Sequence, residues 1–440
     1  MNNRMMSLAL FLFPGQHLGA WRLPDAIPEV DLGIEHYVRA AKLAEAAKLD
    51  AIFFEDQAAI PRSNNIMNGD TYGAANPRAM HFDPMMLLPA LAMATTHLGL
   101  AATSTASFNE PYNLARRFAS IDFISNGRAG WNLVTSFNES EAQNFGLDAH
   151  LEHSLRYERA SEFIDVVNGL WDSWDEGAVI RDKKSGVYFD VEKMHFLKHE
   201  GKFFKVRGPL TMGRSPQGRP VIFQAGSSEP GRELAARTAD VVFTLQTDMK
   251  ASRAFREDIR QRAVRFGRDP DKIKILPGIT PIVGKTDQEA EYFRTRMRDL
   301  IPEELAITHL APHSGGLNFR DYDLNGPMPD LPETNAGKSH RDAIINLARG
   351  ENLSILQTAR RFAEGSYMKL VGAPTTIADT MQEWLDNDAC DGFLAVPTHF
   401  PQGTEDFVSQ VVPELQRRGI FRKEYTGKHL RDHLGVEKHT

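Results

Sequence analysis

Short apolar runs alternate with amphipathic stretches along nearly the whole chain, and this alternation restricts the fold more than any other feature. Ser7 to Phe13 is continuously apolar, as a strand covered on both faces requires. Ile34 to Leu49 puts Ile34, Val38, Ala41 and Ala44 on one stripe, the period of an amphipathic helix. The pattern then repeats. Strands are predicted at Ala51–Phe54, Leu98–Ala102, Ala129–Val134, Val221–Gln224, Val241–Thr244, Ile273–Ile282 (broken by Pro277 and Gly278) and Gly392–Val396. Helices are predicted at Met85–Thr96, Tyr112–Ile124, Ser154–Trp171, Pro230–Ala239, Thr375–Asp388 and Glu405–Arg418. Eight strands, each followed by helix, sometimes after a long detour, call for a parallel sheet closed as a (β/α)8 TIM barrel.

The 440 residues fit one such domain, 1–440, with insertions at about 57–83, 175–219 and 301–353 and a polar tail at 421–440. Unstructured connections of that length are uncommon unless they serve as lids or binding loops. The tail is expected either to wrap a neighbouring subunit or to hang loose. A net charge of −7 with both signs interspersed argues against nucleic acid or an anionic membrane as the main partner. The single cysteine, Cys390, forbids an intrachain disulfide. The apolar start lacks a small-residue cleavage site, and Pro14-Gly15 follows it at once, so it reads as a first strand. A cytoplasmic protein is expected.

In a barrel of this kind chemistry sits at the C-terminal ends of the strands. Asn126 to Ser136 is a turn, a short strand and a strand end with clustered hydrogen-bonding groups. Trp131-Asn132 within it reads equally as a buried aromatic followed by a satisfied amide. Gln224-Ala225-Gly226-Ser227-Ser228 leads from a strand into a helix with Pro230 in its first turn. Free N–H groups and two hydroxyls there suit a phosphate, although a plain N-cap at Ser228 is the commoner use of such a sequence. His153 and Tyr157 share a helix face. Asp56 and Thr103 follow or close strands. His17 follows the first strand and is either an acid/base group or a loop histidine. The spacings of His150, His153, His195 and His199 lack a convincing metal-ligand order, so no metal is expected. Arg62, Arg78, Arg181 and Lys183 lie in the predicted lids and suit carboxylates, with ordinary surface charge as the default. No nucleophile elbow, Walker loop or Gly-x-Gly-x-x-Gly fingerprint occurs, which disfavours a dinucleotide on a Rossmann unit.

Asn126 to Ser136, Asn109-Glu110-Pro111-Tyr112-Asn113-Leu114-Ala115-Arg116, Gln224 to Ser228, Gly201-Lys202-Phe203-Phe204-Lys205-Val206-Arg207-Gly208-Pro209-Leu210 and Glu424-Tyr425-Thr426-Gly427 occur here in one order. Together they resemble the bacterial-luciferase-like flavin monooxygenases, in the branch of nitrilotriacetate, EDTA and dibenzothiophene sulfone monooxygenases. The resemblance implies reduced FMN delivered by a separate NAD(P)H:flavin reductase, and oxidation of a small organic substrate by dioxygen through a flavin peroxide. Cleavage of a C–N or C–S bond in an aminopolycarboxylate-like or organosulfur compound would fit. It implies further that Ser227, Ser228, Tyr157 and His153 surround the FMN phosphate and ribityl chain, and that Asp56, Thr103 and Asn132 line the isoalloxazine. Relatives suggest a homodimer or homotetramer. Two alternatives stand beside this reading: a deazaflavin-dependent oxidoreductase of the same superfamily, and a flavin-binding carrier without turnover.

Overall fold

The computed structural model describes residues 4–60, 76–136, 139–314, 317–331 and 338–439. At its centre β1 (Ser7–Leu12), β2 (Ala51–Phe54), β3 (Gly99–Thr105) and β4 (Ala129–Val134) pair in parallel and in chain order. A two-stranded ribbon, β5 (His199–Glu200) and β6 (Lys205–Val206), lies within the second predicted insertion. The sheet continues through β7 (Val221–Gln224), β8 (Val241–Thr244) and β9 (Lys274–Val283). A strand absent from the sequence reading, β10 (Met368–Gly372), adds to the upper half of β9, and β11 (Gly392–Ala395) joins β9 to β1 and closes the barrel. The (β/α)8 expectation is therefore met by eight strands, with β10 as an addition.

Helices α1 (Ile34–Ala46), α2 (Pro84–Ala94), α3 (Pro111–Ser125), α4 (Glu139–Asn144), α5 (His153–Trp171), α6 (Glu229–Thr238), α7 (Met249–Arg265) and α8 (Asp287–Asp299) follow in chain order. Strand alternation sends one set of side chains inward, where Phe11, Phe53 and Phe223 meet; Phe11 and Phe53 stack at 5.4 Å between ring centroids. The other set packs beneath the helices. In α1 the buried stripe is Tyr37, Ala40, Ala41 and Ala44, while Ile34 is exposed, so the stripe is rotated from the one expected. Among the described residues no helix is long and apolar enough to cross a membrane.

Three further expectations need correction. β9 is not broken: it pairs with β8 up to Pro277 and with β10 from Ile279 onward. Pro277-Gly278 falls at the handover between neighbours, where a missing N–H costs no ladder bond. The stretch 301–353 is not structureless. α9 (Glu303–Leu310) and α10 (Lys338–Gly350), with α11 (Ile355–Ala363), bury Leu305, Leu310, Ile344 and Ile355 in a small core of their own. Gly315 and Gly316, and most of the first insertion with Arg62, lie outside the described residues.

After α12 (Pro374–Asp386) and β11, the predicted closing helix is three joined pieces: α13 (Gln402–Asp406), a π-helical turn (Phe407–Val411) and α14 (Val412–Arg417). The tail is not loose. It turns back beneath the barrel, where Leu430 and Leu434 of α15 (Leu430–Leu434), and Val436 just after it, join the same cluster as Phe11 and Phe53. A Cβ on Gly99, at the start of β3, would stand 2.3 Å from Leu430. Arg422 pairs with Asp50, ahead of β2, and Arg431 with Asp240, ahead of β8. The N-terminal end of the barrel is thus plugged, and its C-terminal end is left for function.

Candidate active site

The turn before β4 fixes that strand's height. Asn126 (φ 55°) and Gly127 (φ 82°) turn the chain in left-handed conformation after α3. Arg128, 3% exposed, then donates to the carbonyls of Ala92, Thr95, Leu98 and Ser125 and to the Thr95 hydroxyl. Trp131 points outward into the helix layer, edge-on to Trp171, and its Nε1 donates to Ser104 O at 2.9 Å. It is a core aromatic, as the plainer sequence reading had it.

Asn132 is different. It faces the barrel interior opposite Thr103, which lies inside β3 and does not close it. Its Nδ2 donates to Thr103 Oγ1 at 2.8 Å, while its Oδ1 is buried without a hydrogen-bond partner. A buried, unpaired amide oxygen costs on the order of 1–3 kcal/mol, so the pair presents an acceptor that suits a ligand N–H.

A second group forms between α5 and α6. The Ser228 hydroxyl caps α6 by accepting from Gly231 N at 3.3 Å, and it donates to Tyr157 Oη at 3.5 Å. The cap uses only the acceptor side of the hydroxyl, so a ligand that drew its hydrogen away from Tyr157 would leave the cap in place. His153 packs on Tyr157, with ring centroids 4.9 Å apart. Ser227 is exposed, and its carbonyl is fixed by Arg232 Nε at 2.9 Å. Gly226 and Gly231 touch: a Cβ on Gly226 would sit 2.8 Å from Gly231 Cα, and one on Gly231 would sit 3.0 Å from Tyr157 Oη. Side chains at either glycine would fill this cradle.

Asp56 follows β2, with its Oδ1 3.6 Å from His81 Nε2. By strand alternation its neighbour Glu55 continues the inward row of Ala51 and Phe53. Burial raises the Glu55 pKa above the usual carboxylate range, although the charges of Arg78 and His81 act in the opposite direction. Tyr367, ahead of β10, closes the aromatic floor at 6.2 Å from Phe11 and 6.0 Å from Phe243, and burial keeps its phenol protonated. Sequence reasoning missed both residues. Alternation from Phe53 was the available signal for Glu55; Tyr367 had none, because its strand was not foreseen. Arg78 is no free lid cation: it donates to the carbonyls of Gly15 and Gln16, both at 2.9 Å. Arg181 lies over the Tyr188 ring. His195 pairs with Asp175 and His199 with Glu162, and neither joins His153.

His17 is buried in a small cavity beside Trp21, Thr398, His399 and Phe400. Desolvation, with the charges of Lys369, His399 and Arg78, pushes its pKa down to about 3. Its Nδ1 accepts from Gly19 N at 3.2 Å, so the neutral ring carries its proton on Nε2. In the order of the eight barrel strands, β1 lies four places from β7. His17 therefore stands across the mouth from the Ser228 cradle.

The depressed histidines have a consequence for stability. His433, in the tail, is likewise pushed down to about 4, mainly by burial. For both, the unfolded chain takes up its proton first, near pH 6.5, so their contribution is complete above that pH and is lost as pH falls below it. At pH 5 the loss is ~2 kcal/mol per histidine. Urea unfolding of the wild type and of His433→Gln at pH 7.5 and 5.0 should give a fall ~2 kcal/mol smaller in the variant. Equal falls would contradict the assignment.

Residues 9–385 match the luciferase-like monooxygenase family. Nitrilotriacetate monooxygenase component A of Aminobacter aminovorans is 47% identical over 99% of this chain and 97% of its own length. N-acetyl-S-(2-succino)cysteine monooxygenase of Bacillus subtilis (strain 168) is 45% identical over 99% of this chain and 97% of its own. Among solved structures, a riboflavin lyase crystallised with modified FMN and riboflavin superposes with a TM-score of 0.85 at 31% identity, covering 99% of this chain and 97% of that one.

Proposed function

This chain belongs to the luciferase-like monooxygenase family; from that premise we propose that it is the oxygenase component of a two-component system, fed with reduced FMN by a separate NAD(P)H:flavin reductase. Its substrate on this reading is a small amine or thioether bearing several carboxylates, the class named in two relatives of 45% and 47% identity. The observation that carries the reading is the cradle of Ser228, Tyr157 and the paired glycines, standing across the mouth from the His17 cavity. A flavin mononucleotide has the same polarity, with an anionic tail at one end and a hydrogen-bonding ring at the other.

Ser227, Ser228, Tyr157 and His153 hold the phosphate and ribityl end, where the α6 N-terminus favours an anion. Asn132 Oδ1 accepts from a ring N–H, with Thr103 fixing the amide's orientation. Asp56 lies at the rim on the β2 side. When bound, reduced FMN supplies the electrons that activate dioxygen. The chain's part is to bind, orient and exclude water. Phe11, Phe53, Phe243 and Tyr367 pack ring on ring into a largely apolar floor. His17, neutral through the physiological range, acts as a hydrogen-bond donor through Nε2 and not as a protonated acid.

Oxygen uptake by the protein with a flavin reductase, NADH and FMN tests the reading. Uptake that rises with nitrilotriacetate or N-acetyl-S-(2-succino)cysteine, with an oxidised product, is expected. Anaerobic hydride transfer with a deazaflavin would favour the first alternative, and flavin binding without product the carrier.

A further inference from the structure

A second cavity opens on the same face of the barrel, between the C-terminal end of β9 with α8 and the π-helical turn. Its volume is about 410 Å³, within the ~300–1,000 Å³ range of small-molecule sites. Ile282 and Met297 make an apolar floor, and His399, Gln410, Lys285 and Arg296 supply polar groups. Thr398 and His399 also wall the His17 cavity, so the two spaces lie on either side of one short segment.

Three features mark this chamber as more than a packing defect. His399 is 11% exposed, and its Nε2 has no hydrogen-bond partner; the nearest charged atom is Asp25 Oδ2 at 3.8 Å. Its Nδ1 is already engaged by the Thr398 hydroxyl at 2.9 Å, so the free nitrogen is the one available to a ligand. Among the described residues, neither Lys285 nor Arg296 stands within ion-pair distance of a carboxylate side chain, although this chain pairs most of its arginines. The π turn Phe407–Val411 interrupts an otherwise α-helical run and bears Gln410; such turns gather at functional positions. Three acids line the chamber: Asp406 accepts from Gln402 at 2.7 Å and Gln410 at 2.8 Å, Glu289 accepts from the Lys285 backbone N–H at 2.6 Å, and Asp25 sits exposed at the rim.

We propose that this chamber is the carboxylate-binding half of the substrate site: a di- or tricarboxylate is held by Lys285 and Arg296 with a hydrogen bond to His399, and its reactive end extends past Thr398 to the His17 cavity. The proposal rests on the monooxygenase reading for its substrate class but makes a claim of its own about binding. It places the substrate on the β9–β11–β1 side of the mouth, away from the flavin phosphate cradle at β7.

The test is calorimetric titration of flavin-free protein with nitrilotriacetate, N-acetyl-S-(2-succino)cysteine and the uncharged trimethyl ester of nitrilotriacetate. At least one of the acids should bind, and the ester should not. Lys285→Ala combined with Arg296→Ala, two exposed positions, should weaken the acid by about tenfold or more, with FMN affinity unchanged. His399→Gln should weaken it less. With reductase present, the double variant should show a raised KM and an unaltered kcat. Failure of both acids to bind the wild type, or equal affinity in the double variant, overturns the proposal. Binding that behaves as expected while no substrate raises oxygen uptake would sink the monooxygenase reading and leave the chamber standing.

Discussion

Arg431→Ala will destabilise the protein by about 3–5 kcal/mol, the usual cost of leaving one half of a buried ion pair unmatched. The guanidinium is 2% exposed and meets both oxygens of Asp240, itself 3% exposed, at 3.0 Å. It also donates to the carbonyls of Arg219, Pro220 and Glu437, so its removal strands a carboxylate and three acceptors together. Asp240 in turn accepts from Ile222 N at 2.8 Å, which ties the tail to the start of β7. Equilibrium unfolding in urea measures the effect. Arg431→Met with Asp240→Asn should recover part of the loss, because the stranded buried carboxylate is then gone and only the longer 4.0 Å pair of Asp240 with Arg268 is given up. A single-variant loss below about 1 kcal/mol would mean that the tail is held by apolar packing and not by this pair.

Ser227→Ala combined with Ser228→Ala will weaken FMN binding by about 10–100-fold, since each hydroxyl hydrogen bond to a charged phosphate is worth ~1.5–3 kcal/mol and part is retained by the α6 N–H groups. Loss of the Ser228 cap adds a cost of ~1 kcal/mol to α6 itself. Ser228→Thr keeps both hydroxyl and cap and serves as the control. Calorimetric titration with FMN, alongside circular dichroism of each variant, separates the two effects. An affinity equal to wild type in a folded double variant would move the phosphate to another part of the mouth.

The site residues differ in how far they could be read in advance. Ser228 and Gly226 belong to a local strand–turn–helix whose geometry neighbouring residues dictate, so their cradle was legible. Thr103 and Asn132 were legible as polar groups on neighbouring strands, although both lie inside β3 and β4 and not at their ends. That they bond to each other follows from the register of β3 on β4, which a single sequence does not state. Glu55 is legible in the same way, since strand alternation carried one residue beyond β2 turns it inward after Ala51 and Phe53. His399, Tyr367 and Lys369 come from late segments that reach the mouth only through tertiary folding. Their burial, and the shifted pKa values of His17 and Lys369, depend on that convergence.

The sequence by itself determined the eightfold strand–helix alternation, because side-chain periods of 2 and 3.6 are local properties of the chain. It also determined the polar strand ends and the family likeness. Only the tertiary structure decided that Pro277-Gly278 leaves β9 whole, that 301–353 makes its own helical core, and that the polar tail carries enough apolar surface and two arginines to seal the barrel. Each of these depends on which distant surface a segment meets, and desolvation and ion pairing act between surfaces that are not neighbours in the chain.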